Sequence, residues 1–395
     1  MNAPGPAFPA TPPDQVFDWL DTEAGKRSRV GLDHRPHHRR PGDDELDLAG
    51  EDYLGLARDK RVAGAAAAAA LRWGAGASGS RLLGGSLELH AELEHELARF
   101  VGAQAAVVFP AGFTANLGAV TALSGAESAI VTDKHVQPSL VDGCRLSRAD
   151  VAAVAHADAP AVGHALATRR KRRALVVTEA VFAVDGDAAP LSRLHEVCRE
   201  HGAALLVDDG HGFGVLGDGG RGGVHDAGLS AQPDVVTTLS LSAALGAQGG
   251  AVLGPRRVVR HLVDVARGFG FDAALAPGSA AAALAALGVL KEEPHLAAKA
   301  VDAAQNLAHG LRDAGLTTSS PAGPIVSLPA PSAQAATAWA DACAGHGVRV
   351  GCVRPPAVPD GVARLRLAAR ATLSESDVDR VVKVVAETAP RGARS

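Results

Sequence analysis

From about residue 60 onward the chain alternates between two patterns. Helical runs, such as 87–100 (LELHAELEHELARF), give way to short β-branched runs bounded by Gly, Pro or Asp. The strand candidates are 105–109, 129–132, 174–178, 203–207, 235–239 and 250–253. Short apolar strands separated by helices predict βα units and a mostly parallel sheet. An amphipathic stretch after Lys291 leads into mixed strands and helices that include 364–367. This division predicts an N-terminal tail and arm over 1–45, a large domain over 46–295 and a small C-terminal α+β domain over 296–395. The first 13 residues carry Pro4, Pro6, Pro9, Pro12 and Pro13 and read as a mobile tail.

Composition narrows the class. Lys+Arg 39 against Asp+Glu 43 leaves a formal net charge of -4, which lacks the phosphate-neutralising excess of a general nucleic-acid binder. With 47% hydrophobic and 21% charged residues the chain is globular, and with 3% aromatics its core must come from small and branched aliphatic side chains. Cys144, Cys198, Cys343 and Cys352 show no CxxC spacing, so neither a disulfide framework nor a zinc knuckle is indicated. His34, His37 and His38 lie in a basic, Pro-containing loop with no accompanying cysteine, which reads as solvated loop; no metal is expected. The N-terminus shows no charged region followed by an apolar stretch. The apolar stretches 63–71 and 273–290 are too short or interrupted by Pro277 to suggest a membrane span. A cytoplasmic protein without membrane or nucleic-acid partners is expected.

One motif misleads. Residues 74–79 (GAGASG) fit the GxGxxG dinucleotide fingerprint, but that motif needs a strand before it and 65–73 reads as helix.

The chemistry concentrates in 178–223. A strand delivers Asp208 at its C-terminal end, where open α/β sheets place their ligands. A buried carboxylate there needs a cationic partner, and a protonated pyridine nitrogen is a suitable one. His211 follows three residues on, among glycines that let the backbone approach a ligand. A hydroxyl-rich turn at 237–250 (TTLSLSAALGAQGG) ends in glycines and suits a phosphate.

These residues resemble the α-oxoamine synthases, fold-type I enzymes that use pyridoxal 5′-phosphate. The resemblance runs from about Asp52 to Arg366. It comprises DYLGLA at 52–57, SGSR at 78–81, FPAGFTAN at 109–116 and SLVDG at 139–143. VFAVDGDAAPL at 181–191, DDGHGFGVLG at 208–217, ALGAQGG at 244–250 and RPPAVPDGVARLRL at 354–367 complete it. It implies an aspartate aminotransferase-like fold, with a mostly parallel seven-stranded sheet in the large domain, and an active site at a homodimer interface. It also implies roles. Asp208 pairs with the pyridinium nitrogen and His211 bonds the ring hydroxyl oxygen. The backbone amides of Gly112 and Phe113 hold the phosphate, joined by the Ser240 hydroxyl. Arg366 clamps the amino-acid carboxylate, and Arg354 lies near the second substrate.

The chain departs from the family pattern at its centre. The family reads S-K-A-L-G where this chain reads Ser242-Ala243-Ala244-Leu245-Gly246, so the lysine that anchors the cofactor and moves the α-proton is absent. None of Lys26, Lys60, Lys134, Lys171, Lys291, Lys299 and Lys383 falls on that turn. A lysine-to-alanine substitution introduced to trap a bound ligand would leave the surrounding motif intact, as it is. A natural non-catalytic homologue would be expected to let Asp208 and His211 drift as well. On the first reading the chain is a strongly impaired enzyme. Glu51 replaces an asparagine beside the substrate carboxylate, Gln137 a ring-stacking histidine, and Ala183 a serine. Residues 271–275 (FDAAL) replace FTTSL, and Leu373 stands where the family has a histidine. Such clustered changes suggest a different substrate pair.

The resemblance therefore implies a carbon–carbon bond-forming transferase that joins an amino acid to an acyl thioester. An alternative keeps the cofactor but turns to specialised metabolism, with Glu51 favouring a cationic amino acid and the electrophile not a thioester. A third reading is a non-catalytic homologue.

Overall fold

The computed structural model describes residues 12–34, 36–43 and 45–394. Residues 1–11 of the expected tail lie outside them. Eleven strands follow in chain order: β1 (Leu46–Leu48), β2 (Ala105–Phe109), β3 (Ser128–Asp133), β4 (Asp150–Val154), β5 (Arg173–Glu179) and β6 (Ala204–Asp208), then β7 (Val235–Ser240), β8 (Gly250–Gly254), β9 (Ile325–Pro329), β10 (Val348–Val353) and β11 (Arg364–Ala368). Seven of them form a sheet in the order β2-β8-β7-β6-β5-β3-β4, in which only β8 runs against its neighbours. This is the mostly parallel seven-stranded sheet that the resemblance implies.

Side-chain alternation along the strands builds a core on each face of that sheet. Val107, Phe109 and Val252 join one apolar cluster, while Ala106, Val108, Ala251 and Leu253 join the other. The central strands are buried on both faces, and β5 and β6 carry the apolar runs 174–177 and 204–207. β4 is the edge strand and has four of its five residues exposed; it is not among the strand candidates.

Helix Lys60–Trp73 precedes the glycine-rich 74–79 segment, as the rejection of a dinucleotide fingerprint requires. Pro277 opens helix Pro277–Glu292 rather than breaking it, since the first helical position needs no N–H donor. That helix packs on Lys60–Trp73 so closely that a Cβ at Gly278 would lie 3.3 Å from the Ala66 carbonyl oxygen. Alanine richness here serves close helix packing. No helix among the described residues is long and apolar enough to cross a membrane.

The second sheet runs β1-β10-β11-β9, with its own apolar cluster around Trp339, Leu365 and Leu367. Its first strand is Leu46–Leu48, which pairs parallel to β10 far along the chain. The two sheets meet where β11 brings Arg366 to the Ala183 carbonyl, in the segment after β5.

Candidate active site

The C-terminal ends of the parallel strands converge on one edge of the large sheet. There Ala111–Phe113 follow β2, Gln137 follows β3, Ala183 follows β5, Asp208 ends β6 with His211 just beyond it, and Ser240 ends β7. With Glu51, Asn116 and Arg366 they line a cavity of about 480 Å³. Open α/β sheets bind ligands at this edge.

Asp208 is 4% exposed. Its carboxylate accepts hydrogen bonds from Asn116 Nδ2 at 2.6 Å and from the Gly210 amide at 2.8 Å, and the Gln137 side-chain amide also donates to it. Among the described residues no cationic side chain pairs with it, and burial pushes its carboxyl up to about 6. A buried carboxylate facing a cavity without a cation is a fitting partner for a protonated pyridine nitrogen. Asn116 is fixed in turn, its Nδ2 also donating to Ser139 Oγ at 3.0 Å and its Oδ1 accepting from the Thr238 hydroxyl.

His211 is also buried, and burial holds its imidazole down at about 4, so it is neutral near pH 7. Its Nδ1 lies 2.8 Å from the Tyr53 hydroxyl. With the Tyr53 hydroxyl as donor to it, His211 Nδ1 carries no proton of its own. The remaining imidazole proton then sits on Nε2, the tautomer needed to donate to a ring hydroxyl oxygen.

Helix Gly112–Leu123 begins at the cavity wall. A Cβ at Gly112 would lie 3.1 Å from Ser240 Cβ, so the absent side chain leaves room beside the Ser240 hydroxyl, which is 2.8 Å from Ser242 Oγ. Backbone amides at a helix start together with a hydroxyl form an anion cradle suited to a phosphate. Phe113 exposes its ring while its backbone belongs to this first turn. The residues present thus fit pyridoxal phosphate at its ring nitrogen, ring hydroxyl and phosphate.

Ala243 lies on the turn just beyond Ser242 and is 1% exposed. None of the seven lysines lines the cavity. The general base expected at this turn has no replacement there.

Two substrate-side expectations meet a different geometry. Arg354 turns away from the cavity: its guanidinium donates to the Gly31 and Asp33 carbonyls and the Thr337 hydroxyl, tying the N-terminal arm to the C-terminal region. Backbone carbonyls left free by the irregular arm attract it more strongly than an open cavity does. Glu51 is not a free anion, because Arg366 Nη2 donates to its Oε1 at 2.8 Å. Burial opposes its charge, but the neighbouring His211 and the Arg366 guanidinium that hydrogen-bonds it hold the carboxyl below its ordinary value. A carboxylate already spent on Arg366 is no counter-charge for a cationic amino acid.

Sequence reasoning assigned no role to Tyr53, Asn116 or Glu179. Glu179 is buried at the tip of β5, where it accepts the Gln137 amide at 2.7 Å and the Ala183 amide at 3.2 Å. Burial, then the nearby Asp208 charge, drives its carboxyl well above the ordinary range. Its position at a strand end, like that of Asp208, was a usable signal.

The profile described as aminotransferase class I and II matches residues 43–385. The chain is 51% identical over 369 residues to 8-amino-7-oxononanoate synthase from Mycolicibacterium vanbaalenii, covering 93% of this chain and 96% of that protein. Among solved structures, serine palmitoyltransferase from Sphingomonas wittichii superposes with a TM-score of 0.85 at 28% identity, covering 96% of this chain and 98% of that one. A lysine-to-alanine serine palmitoyltransferase from S. paucimobilis, with a bound PLP–myriocin aldimine, superposes with a TM-score of 0.88 at 27% identity over 96% of this chain and 98% of that one.

Proposed function

The chain belongs to the class I and II aminotransferase family and, within it, to the α-oxoamine synthases, fold-type I enzymes whose cofactor is pyridoxal 5′-phosphate; from that membership we propose that its site is built to join an amino acid to an acyl thioester and that Ala243 leaves it strongly impaired. The observation that carries this reading is buried Asp208, without a cationic partner, beside the Gly112–Ser240 cradle in one cavity.

When bound, the cofactor supplies an electron sink for charge that develops on the amino acid's α-carbon. Asp208 holds a proton on the pyridine nitrogen, and Asn116 and Gly210 keep its carboxylate aimed. His211 Nε2 donates to the ring hydroxyl oxygen, its tautomer set by Tyr53. The Gly112 and Phe113 amides and the Ser240 hydroxyl receive the phosphate. Gln137 covers the ring but carries no proton to exchange near neutral pH. Ala243 can neither anchor the cofactor nor move a proton at the α-carbon. The lysine-to-alanine serine palmitoyltransferase with a bound PLP–myriocin aldimine supports the view that this fold can keep its ligand after loss of a lysine.

The phosphate assignment has a direct test in this chain as it stands. Ser240→Ala is expected to weaken pyridoxamine phosphate binding about 10–100-fold, the equivalent of one hydrogen bond to a charged group. Pyridoxamine, which lacks the phosphate, should bind both proteins equally in calorimetry. Equal affinity of both proteins for pyridoxamine phosphate would remove Ser240 from the cradle.

We also assign a cytoplasmic homodimer. Leu83 and Phe271, 86% and 79% exposed, are large apolar side chains of the kind a second copy would cover. Light scattering should give twice the chain mass, and a monomer at micromolar concentration would count against this assignment.

A further inference from the structure

A second cavity, of about 560 Å³, adjoins the first and shares Glu51 and Ser242 with it. Arg370 lines it from just beyond β11. The backbone there is pinned on both sides: the Ala369 amide donates to the Pro324 carbonyl and the Ala371 amide to the Tyr53 carbonyl, each at 2.7 Å. The Arg370 guanidinium nevertheless makes no hydrogen bond or ion pair among the described residues, and its buried Nε donates to nothing. Folded chains leave few buried donors in that state, because each one costs stability. The acidic side chains around it are engaged. Asp47 accepts from Arg39 at 3.0 Å and Asp43 from the Arg40 amide at 2.6 Å, while Glu45 pairs with Arg349 and Glu51 with Arg366. Asp52 accepts the Ala57 amide at 3.2 Å; burial raises its carboxyl, and its amide bonds and the charges of Arg370 and Arg58 oppose that rise. Asp377, also within reach of the Arg370 charge, is held by Ser374. Arg58 lines the same cavity, exposed and likewise unpaired among the described residues. Two guanidiniums thus stand near one half-buried carboxylate, and the wall keeps a positive excess.

Building on the acyl-thioester reading above, we propose that this second cavity is an anion subsite for the acyl donor, in which Arg370, assisted by Arg58, binds a phosphate or carboxylate group remote from the reacting carbonyl. A guanidinium presents paired N–H donors that match two oxygens of either anion. The shared wall at Glu51 and Ser242 lets one extended ligand occupy both cavities, with its thioester end on the cofactor side. Ser242 stands one residue before Ala243, so the subsite lies beside the turn that carries the missing base. A phosphate would come from the carrier of the acyl group and a carboxylate from the far end of the acyl chain. A donor with neither would leave Arg370 unpaired.

The test uses the chain as it stands and needs no turnover. Calorimetry compares three probes: the adipic acid monothioester of N-acetylcysteamine, which carries a carboxylate, its neutral methyl ester, and coenzyme A, which carries phosphates. At least one anionic probe should bind Arg370→Gln about 10–100-fold more weakly, the scale of a hydrogen bond to a charged group. Arg58→Gln, at an exposed position, should weaken the same probe about 2–5-fold. The methyl ester should bind all three proteins alike. Loss confined to the adipic probe assigns the subsite to an acyl carboxylate, and loss confined to coenzyme A assigns it to carrier phosphates. In the unsubstituted chain the bound probe should also shield Arg370 from phenylglyoxal, read by peptide mass, which depends on no variant's folding. Pyridoxamine phosphate reads the cofactor site separately and should bind Arg370→Gln as it binds the parent. Its failure to bind the parent would overturn the cofactor reading, while Arg370-dependent anion binding would still support the subsite. The proposal fails if neither anionic probe binds, or if the bound probe leaves Arg370 unshielded and binds Arg370→Gln equally well.

Discussion

Replacing Ala243 by lysine is expected to give a protein that takes up pyridoxal phosphate covalently and gains at least about 10²–10⁴-fold in α-proton exchange of its amino acid, the contribution of a positioned general base. Position 243 lies on the turn after Ser240 and Ser242, both of which line the cavity. Ala243 is almost fully buried, so a lysine stem must run along the cavity wall to bring its amine to the ligand. Borohydride treatment should then fix the cofactor to the chain, visible as a mass increment that the Ala243 protein does not show. Exchange of the α-proton in deuterated buffer reads the base separately from the acyl acceptor, which need not be known. Covalent uptake without exchange would mean that the anchor is restored but the remaining substitutions disable the chemistry. Absence of both would favour a non-catalytic homologue.

Much of this site was legible before any coordinates. Asp208 and His211 stand on a strand end and a glycine-rich turn, a local pattern whose consequence does not depend on distant residues. The same holds for the Gly112 helix start and the Ser240 turn. What could not be read was pairing across the chain. Glu51 and Arg366 are 315 residues apart in sequence, and nothing local to either announces their contact. The position of Glu51 suggested repulsion of a ligand carboxylate; the structure adds that its charge is already engaged, which removes the ground for a cationic substrate. Arg354 failed for a related reason. It sits in a block that resembles the family, but its guanidinium is drawn to carbonyls of an irregular arm that no periodicity foretells. In the fold, the strands that escaped notice were edge strand β4 and the short members of the second sheet. Of these, β4 is exposed at four of its five positions and β1 spans only three residues.

In the lysine-restored protein, Asp208→Asn should lower kcat/KM by about 10²–10⁴-fold, because breaking a buried charge pair costs about 3–5 kcal/mol. The amide keeps the shape, but its one oxygen can replace only one carboxylate oxygen, either the Oδ1 that meets the Gly210 amide or the Oδ2 that meets Asn116, and it cannot hold a proton on the pyridine nitrogen. Stability should move the other way. The Asp208 carboxyl is raised from its ordinary 3.8 to about 6 in the folded chain, chiefly by burial. A group raised in this way contributes stability that is fully present below about 3.8 and is lost as pH rises through about 6. In the cofactor-free protein at pH 7 the ionised side chain is therefore a liability, and the asparagine variant should melt no lower than its parent. Lost activity together with equal or higher thermal stability would separate a role at the cofactor ring from a role in folding. A variant that melts lower at pH 7 would place Asp208 among the groups that hold the sheet edge together.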